Sequence, residues 1–297
     1  MKILCFFNPK AGGGQAAKDL PELKQLFSQQ NIDAEIIQTA YPQFAQDTLI
    51  NFNLSKYDAL VAAGGDGSFF DILNAYKNHP QKVSLPLGII PMGTGNSLSR
   101  ELLPAKGQLA DFVKIIRQGH TKPVDIIKVK TENTSYYFAN MMGFGFTTDV
   151  TLTAIKYKWL KKWAYTIGVL INTLKLKTYP LTYKIEGKSY TVDNLFVTVS
   201  NSKFSGNDFL IAPKAKMDDG LFDVVIVNKI SRWNLLKTFP KIFDGSYINS
   251  PYVTYFQTNN ISFKSSSTKI TSPDGEIIGQ LPVNIEILPK AIHLLTP

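Results

Sequence analysis

The chain reads as two domains, an N-terminal α/β domain built on a parallel sheet and a C-terminal β-sandwich. Three observations predict this. The 297 residues amount to about two domains at roughly 150 residues each. The first third alternates strand-like and helix-like segments, the pattern of parallel βαβ units. From residue 124 the texture changes to short β-branched or aromatic runs separated by turn residues, as in a sandwich.

In the first third, strands are expected at Lys2–Asn8, Ala34–Gln38, Ala59–Ala63 and Leu87–Ile90. Helices are expected at Ala16–Gln30, Phe44–Phe52 and Phe69–Tyr76. Leu20, Leu23, Leu26 and Phe27 fall on one face of the first helix. Further on, the expected strands are Asp125–Lys130, Tyr136–Asn140, Leu181–Glu186, Leu195–Ser200, Leu221–Asn228, Tyr252–Gln257, Ile261–Lys264 and Val283–Leu288. A helical island from Thr151 to Lys177 interrupts them. The apolar stretch Ala291–Leu295 is expected to return to the first domain. The domains are therefore set at 1–123 with 289–297, and 124–288.

Net charge is +9 and the pI is about 9.3, an excess that favours nucleic acid, anionic lipid or a nucleotide triphosphate as partner. No nucleic-acid recognition module accompanies the charge, so nucleic acid is not expected. The single cysteine, Cys5, cannot form an internal disulfide and fits a reducing compartment. Its apolar surroundings make it a small buried hydrophobe. The apolar stretch Ile3–Phe7 is too short for a signal peptide. No segment approaches the roughly 20 apolar residues of a membrane span. The expectation is a cytoplasmic protein, peripheral at the inner face of the membrane. His79, His120 and His293 have no ligand spacing and read as structural.

In parallel sheets, ligands bind beyond the carboxyl ends of the strands. Three glycine-bearing turns sit there: Gly12–Gly14, Gly64–Gly67 and Gly93–Gly95. In Ala63-Gly64-Gly65-Asp66-Gly67-Ser68, glycines let a ligand approach the backbone with no Cβ in the way. The amides of the following helix form an anion site. An ordinary strand–turn–helix connection also uses Gly and Asp. The repetition in Pro91-Met92-Gly93-Thr94-Gly95-Asn96 and in Asn8-Pro9-Lys10-Ala11-Gly12-Gly13-Gly14 is what describes a nucleotide cleft. None of the three is a Walker loop. Taken alone, Asp274-Gly275-Glu276 reads as a solvated hairpin turn. Its two acids could also point into a cleft, where one would take the proton of an acceptor hydroxyl.

The run 156–177 has the composition of an interfacial amphipathic helix. Trp159, Trp163 and Tyr165 would lie at head-group level, with lysines toward anionic lipid. Leu160, Ile167, Leu170 and Leu174 are expected to pack on the sandwich.

In order and spacing, NPKAGGG (8–14), GGDGS (64–68), GIIPMGTGNSLSR (88–100), NMMGFGFTTDV (140–150), NSKFSGNDFLIAPKAKMDDGLFDVVIV (201–227) and SPDGE (272–276) resemble the diacylglycerol kinase catalytic-domain family. That family includes the sphingosine, ceramide and bacterial lipid kinases. The resemblance implies an NAD kinase/diacylglycerol kinase-like α/β domain followed by the sandwich. It implies an ATP-dependent lipid kinase, with Mg2+, acting on a hydroxyl of a diacylglycerol-like or sphingoid-like lipid at a membrane surface. It implies that Gly64, Gly65, Asp66, Gly67 and Ser68 hold the ATP phosphates, with Asn8, Gly93, Thr94 and Asn96 nearby and Thr39 as a further nucleotide contact. Asp274 would be the base and Glu276 a metal or nucleotide partner, with the reverse assignment open and Asp66 as a further catalytic acid. A structural Mg2+ would take the Asp219 carboxylate and the carbonyls of Lys216 and Leu221, where a plain turn between strands reads equally well. Asp125 would join the same polar network, and Asp149 would face the lipid amine and hydroxyls. The sequence departs from the family in having Ser68 for threonine, Phe70-Asp71 for Asn-Glu and Ser97 for an acid. The competing readings are a kinase of a soluble substrate, such as an NAD kinase, and a relative that binds lipid or nucleotide without catalysis. A homodimer stays open.

Overall fold

The computed structural model describes residues 1–104, 107–157, 163–206 and 209–297, without the side chains of 164 and 165. It divides into one unit of Met1–Ile126 with Lys290–Pro297 and a second of Ile127–Pro289.

The first unit is wound from β1 (Lys2–Phe7), α1 (Ala16–Gln29), β2 (Asp33–Gln38), α2 (Phe44–Thr48), β3 (Ala59–Gly64), α3 (Asp66–Asn78), β4 (Leu87–Pro91), α4 (Ser97–Leu102), α5 (Leu109–Gln118) and the start of β5 (Thr121–Lys130). β1 pairs in parallel with β2 and β3, and β3 with β4. Ile3 to Phe7 and Ala59 to Ala63 are buried throughout, the continuous apolar reading of strands covered on both faces. Leu23 and Phe27 of α1 and Val113 and Ile116 of α5 join the same core. The expected alternation is therefore the observed one. α3 begins three residues earlier than its apolar periodicity indicates, because Gly65 caps it and receives the Ser68 amide at 3.0 Å. α4 and α5 have no counterpart in the sequence reading.

The second unit carries β6 (Ser135–Phe138), β7 (Met141–Gly145), α6 (Phe146–Lys156), α7 (Ala164–Leu174), β8 (Tyr179–Ile185), β9 (Lys188–Ser200), β10 (Phe204–Ser205), β11 (Phe209–Leu210), β12 (Phe222–Asn228), α8 (Arg232–Thr238), β13 (Val253–Thr258), β14 (Asn260–Ser265), β15 (Thr271–Pro273) and most of β16 (Val283–Leu295). Here the strand pairs are antiparallel: β12 with β13 and β9, β8 with β9 and β14, and β7 with β9 and β15. β8 and β9 form a hairpin through Glu186 and Gly187, both at positive φ, the geometry of a two-residue turn matched to strand twist. β9 is therefore longer than its apolar half.

The helical island resolves into α6, which starts at Phe146, and α7. Ile167 is partly buried, whereas Leu170 is 51% and Leu174 75% exposed, so the apolar stripe does not pack down as expected. Trp159 and Leu160 lie outside the described residues, as does the side chain of Tyr165. Among the described residues, no helix is long and apolar enough to cross a membrane.

The chain passes between the units within β5 and again within β16. Beyond Pro289, β16 belongs to the first unit: Leu294 pairs in parallel with Leu87, and Leu295 enters the core. Buried Asp125 accepts the Lys290 amide at 2.6 Å. This bond ties β5 to the returning strand.

Candidate functional site

In the first unit, all three glycine turns follow strands of one parallel sheet, so they share its carboxyl edge. The Asn8 amide donates to the Ala63 carbonyl at 2.9 Å and the Met92 amide to the Gly64 carbonyl at 2.8 Å. Asn8 Nδ2 lies 3.2 Å from Ser68 Oγ. The turns also touch through bare backbone. A Cβ on Gly93 would lie 2.6 Å from the Gly65 Cα, and one on Gly12 would meet the Met92 carbonyl oxygen at 2.8 Å. Only glycine fits where two main chains approach so closely.

Asp66 brackets two of these turns. Its Oδ2 accepts the Ser97 amide at 3.0 Å and its Oδ1 the Leu98 amide at 3.2 Å. Burial pushes the Asp66 carboxyl above its usual range, and the two amides partly offset this. Asn96 sits at positive φ, receives the Gly93 amide at 3.0 Å and donates to the Gly93 carbonyl at 2.7 Å. Thr94 is exposed on this loop. Thr39 follows β2, its amide bonded to the Phe7 carbonyl at 2.8 Å. Asn8, Thr39, Gly64 to Ser68, Gly93, Thr94 and Asn96 thus gather on one edge. The donor set is neutral, made of main-chain amides, hydroxyls and carboxamides around a Cβ-free surface, which fits a polyphosphate.

In the second unit, Asp274 occupies a left-handed turn at φ 47°. Its amide donates to the Met141 carbonyl at 2.7 Å. Its Oδ1 accepts the amides of Asn140 and Met141 at 3.2 and 2.9 Å, and its Oδ2 that of Ala139 at 3.3 Å. The carboxylate is thereby held on the β6–β7 connection. Glu276 follows across Gly275, which is at φ 86°, with its amide on the Pro273 carbonyl at 2.8 Å.

Asp149 lies in the first turn of α6. It borders a cavity of about 540 Å3 with Phe146, Asn172, Tyr179, Arg232 and Lys269. Burial raises the Asp149 pKa and the Lys269 charge lowers it. Lys269 Nζ stands 4.0 Å from the Tyr179 ring centroid. The Tyr179 hydroxyl packs against Gly145, where an added Cβ would lie 2.6 Å away. Tyr179, Arg232 and Lys269 escape sequence reasoning because they come from three distant segments with no motif among them.

At the expected metal segment, Asp219 Oδ1 accepts the Leu221 amide at 3.1 Å across Gly220, which is at φ 76°. Lys216 and Asp219 are exposed. One carboxylate with nearby carbonyls suits a hard, partly hydrated cation. No group of three or more His, Cys, Asp or Glu able to hold a metal assembles among the described residues.

The diacylglycerol kinase catalytic domain model matches residues 2–129, and that of the YegS C-terminal NAD kinase beta sandwich-like domain matches residues 140–296. A diacylglycerol kinase of Staphylococcus epidermidis is 31% identical over 82% of this chain and 75% of its own length. The chain belongs to the diacylglycerol kinase family. That makes it an enzyme of the lipid kinase class, with the two-domain fold the sequence indicates. Within the family, sphingosine kinase 1 of Arabidopsis thaliana is 26% identical over 93% of this chain, which spans 66% of that protein's length. A crystal structure of a candidate diacylglycerol kinase from Bacillus anthracis superposes with a TM-score of 0.82 at 26% identity, covering 100% of this chain and 97% of that one.

Proposed function

We propose that this lipid kinase uses ATP, with Mg2+, to phosphorylate a hydroxyl of a diacylglycerol-like or sphingoid-like lipid at the surface of a membrane. The observation that carries the reading is the joining of three glycine turns at one sheet edge, two of them by Asp66 and the Gly65–Gly93 contact and the third by the Gly12–Met92 approach and the Asn8–Ser68 bond. In this proposal Gly64 to Ser68 cradle the phosphates through main-chain amides and the Ser68 hydroxyl, with Asn8, Gly93, Thr94 and Asn96 beside them. Thr39 contacts the nucleotide. Asp66 is a further catalytic acid, oriented by the α4 amides that its two oxygens accept.

Asp274 takes the proton of the acceptor hydroxyl, and its three amide contacts hold it in one orientation. Glu276 supports the metal or the nucleotide. The acceptor oxygen bonds to the γ-phosphorus, the bond from that phosphorus to the β–γ bridging oxygen breaks, and ADP leaves with the electron pair. Mg2+, when bound, neutralises charge on the transferring phosphoryl group. A second Mg2+ role, structural, falls to Asp219 with the carbonyls of Lys216 and Leu221.

Action at a membrane is supported by exposed apolar groups among cations. Trp163 is 61%, Leu174 75% and Trp233 76% exposed, and Lys156, Lys175, Lys177, Lys237 and Lys241 are exposed on the same helices and their flanks. Tryptophan and lysine together suit an anionic interface, here the cytoplasmic face.

The test is purified protein with labelled ATP, Mg2+ and diacylglycerol, monoacylglycerol, sphingosine, ceramide or phosphatidylglycerol in mixed micelles. Label in one lipid, lost in Asp274→Asn, is the expected result. Label in none of them, with ATP turnover on a soluble substrate such as NAD, would overturn the reading.

A further inference from the structure

The Asp149 cavity is lined by charges of unequal number. Among the described residues, four cationic side chains border the cavity, Lys175, Lys177, Arg232 and Lys269, against the single carboxylate of Asp149. Lys269 shares the cavity lining with that carboxylate and acts on it electrostatically. An ammonium entering to pair with Asp149 would meet Lys269 first, and like charges disfavour each other at short range in a partly desolvated site.

Lys269 and Arg232 are also held in place. The Lys269 ammonium rests over the Tyr179 ring, a cation–π contact that keeps it at the cavity. Arg232 donates from Nε to the Thr173 carbonyl at 3.3 Å and from Nη2 to the Leu174 carbonyl at 3.2 Å. A guanidinium has five N–H donors, so two bonds leave others for an anion. Tyr179 is 3% exposed, and among the described residues its hydroxyl has no hydrogen-bond partner, although buried hydroxyls are almost always paired. Burial and the Asp149 charge push its pKa up, so it stays a donor. Phe146, Leu176 and Leu195 supply apolar wall beside these groups.

We infer that this cavity takes a lipid headgroup carrying a phosphodiester beside its free hydroxyls, a phosphoglycerol-type acceptor, in preference to a sphingoid ammonium. Lys269 and Arg232 hold the phosphate, and Asp149 accepts from headgroup hydroxyls. The inference rests on the lipid kinase reading and narrows its substrate.

The test compares phosphatidylglycerol, diacylglycerol and sphingosine in neutral-detergent micelles, with glycerol 3-phosphate as the soluble arm bearing the same charge without chains. Wild-type kcat/KM is expected to be highest for phosphatidylglycerol. Lys269→Glu should lower that value by about tenfold or more, the worth of one hydrogen bond to a charged group, and shift the ratio toward sphingosine. Lys269→Gln should fall between, at an unchanged melting temperature. Sphingosine as the best wild-type acceptor, or a ratio unmoved by Lys269→Glu, overturns the inference. Glycerol 3-phosphate turned over as well as the lipid overturns the assignment to a lipid headgroup. Calorimetric binding of short-chain phosphatidylglycerol is measured alongside. Tight binding without labelling of any lipid would sink the kinase activity while sustaining the headgroup assignment, and binding unchanged in Lys269→Glu would sink the latter.

Discussion

Gly93→Ala isolates the contact between the Gly64–Gly67 and Gly93–Gly95 loops. Gly93 lies outside the left-handed region, so alanine brings no backbone strain, only a methyl group. That methyl would sit 2.6 Å from the Gly65 Cα and 2.8 Å from Asn96 Oδ1. Carbon atoms settle at about 3.5–4.0 Å, so the loops must part by about 1 Å. The neighbour is main chain and cannot rotate away. Overpacking of this kind costs about 1–3 kcal/mol, or roughly 2–4 °C in melting temperature per kcal/mol for a domain of this size. On the proposed role of these loops in holding phosphate, a displacement of about 1 Å costs on the order of 100-fold in rate. The assay is kcat/KM for ATP in the labelled-lipid reaction, beside a thermal melt. Gly187→Ala is the control, since it adds a methyl with nothing within 4 Å and carries only the strain of its turn. A Gly93→Ala enzyme with near wild-type kcat/KM and an unmoved melt would refute the close approach of the loops.

Asp274→Asn should lower kcat by about 100-fold or more, the usual worth of a general base, whereas Glu276→Gln should act mainly on the ATP or Mg2+ dependence. If the two effects exchange, so do the roles. Trp233→Ala should weaken binding to anionic vesicles by about tenfold through lost apolar contact with no change in melting temperature, and unchanged sedimentation with vesicles would count against the membrane face. Asp223 is 1% exposed, accepts from Tyr255 and Gln257 and has its pKa raised by burial, with these bonds opposing. A carboxyl raised in the folded state stabilises below its unfolded pKa of about 4 and loses that contribution as pH rises through the folded value. The urea midpoint of Asp223→Asn relative to wild type should therefore climb between pH 4 and 7, and a flat difference would show that burial does not raise this carboxyl.

The parallel sheet and its glycine turns were legible because their signals are local: buried apolar strands, then residues that permit close backbone approach. α3 starts before its apolar spacing because Asp66, Gly67 and Ser68 carry no apolar side chain yet form the first turn after the Gly65 cap. Leu170 and Leu174 carried the spacing of a packed stripe, and spacing does not say which side of a helix meets a neighbour. Asp274-Gly275-Glu276 could be told from a hairpin turn only by the three amides its carboxylate receives, and those come from residues 139–141. The cavity at Asp149 draws Tyr179, Arg232 and Lys269 from separate segments, so no linear pattern announces it.

The return of β16 to the first sheet bears on how the protein is made. A ribosome delivers residues 2–126 well before Leu294 and Leu295, and residues 127–289 must emerge in between. Until then the β4 edge stays unpaired on the side that Leu294 will occupy, and Gly88 lacks the Leu295 methyl that lies beside it in the finished molecule. Nascent chains stalled within the sandwich should therefore present an open strand edge to chaperones. Clipping residues 290–297 should weaken the first unit although the whole sandwich lies between them and the rest of that unit in sequence.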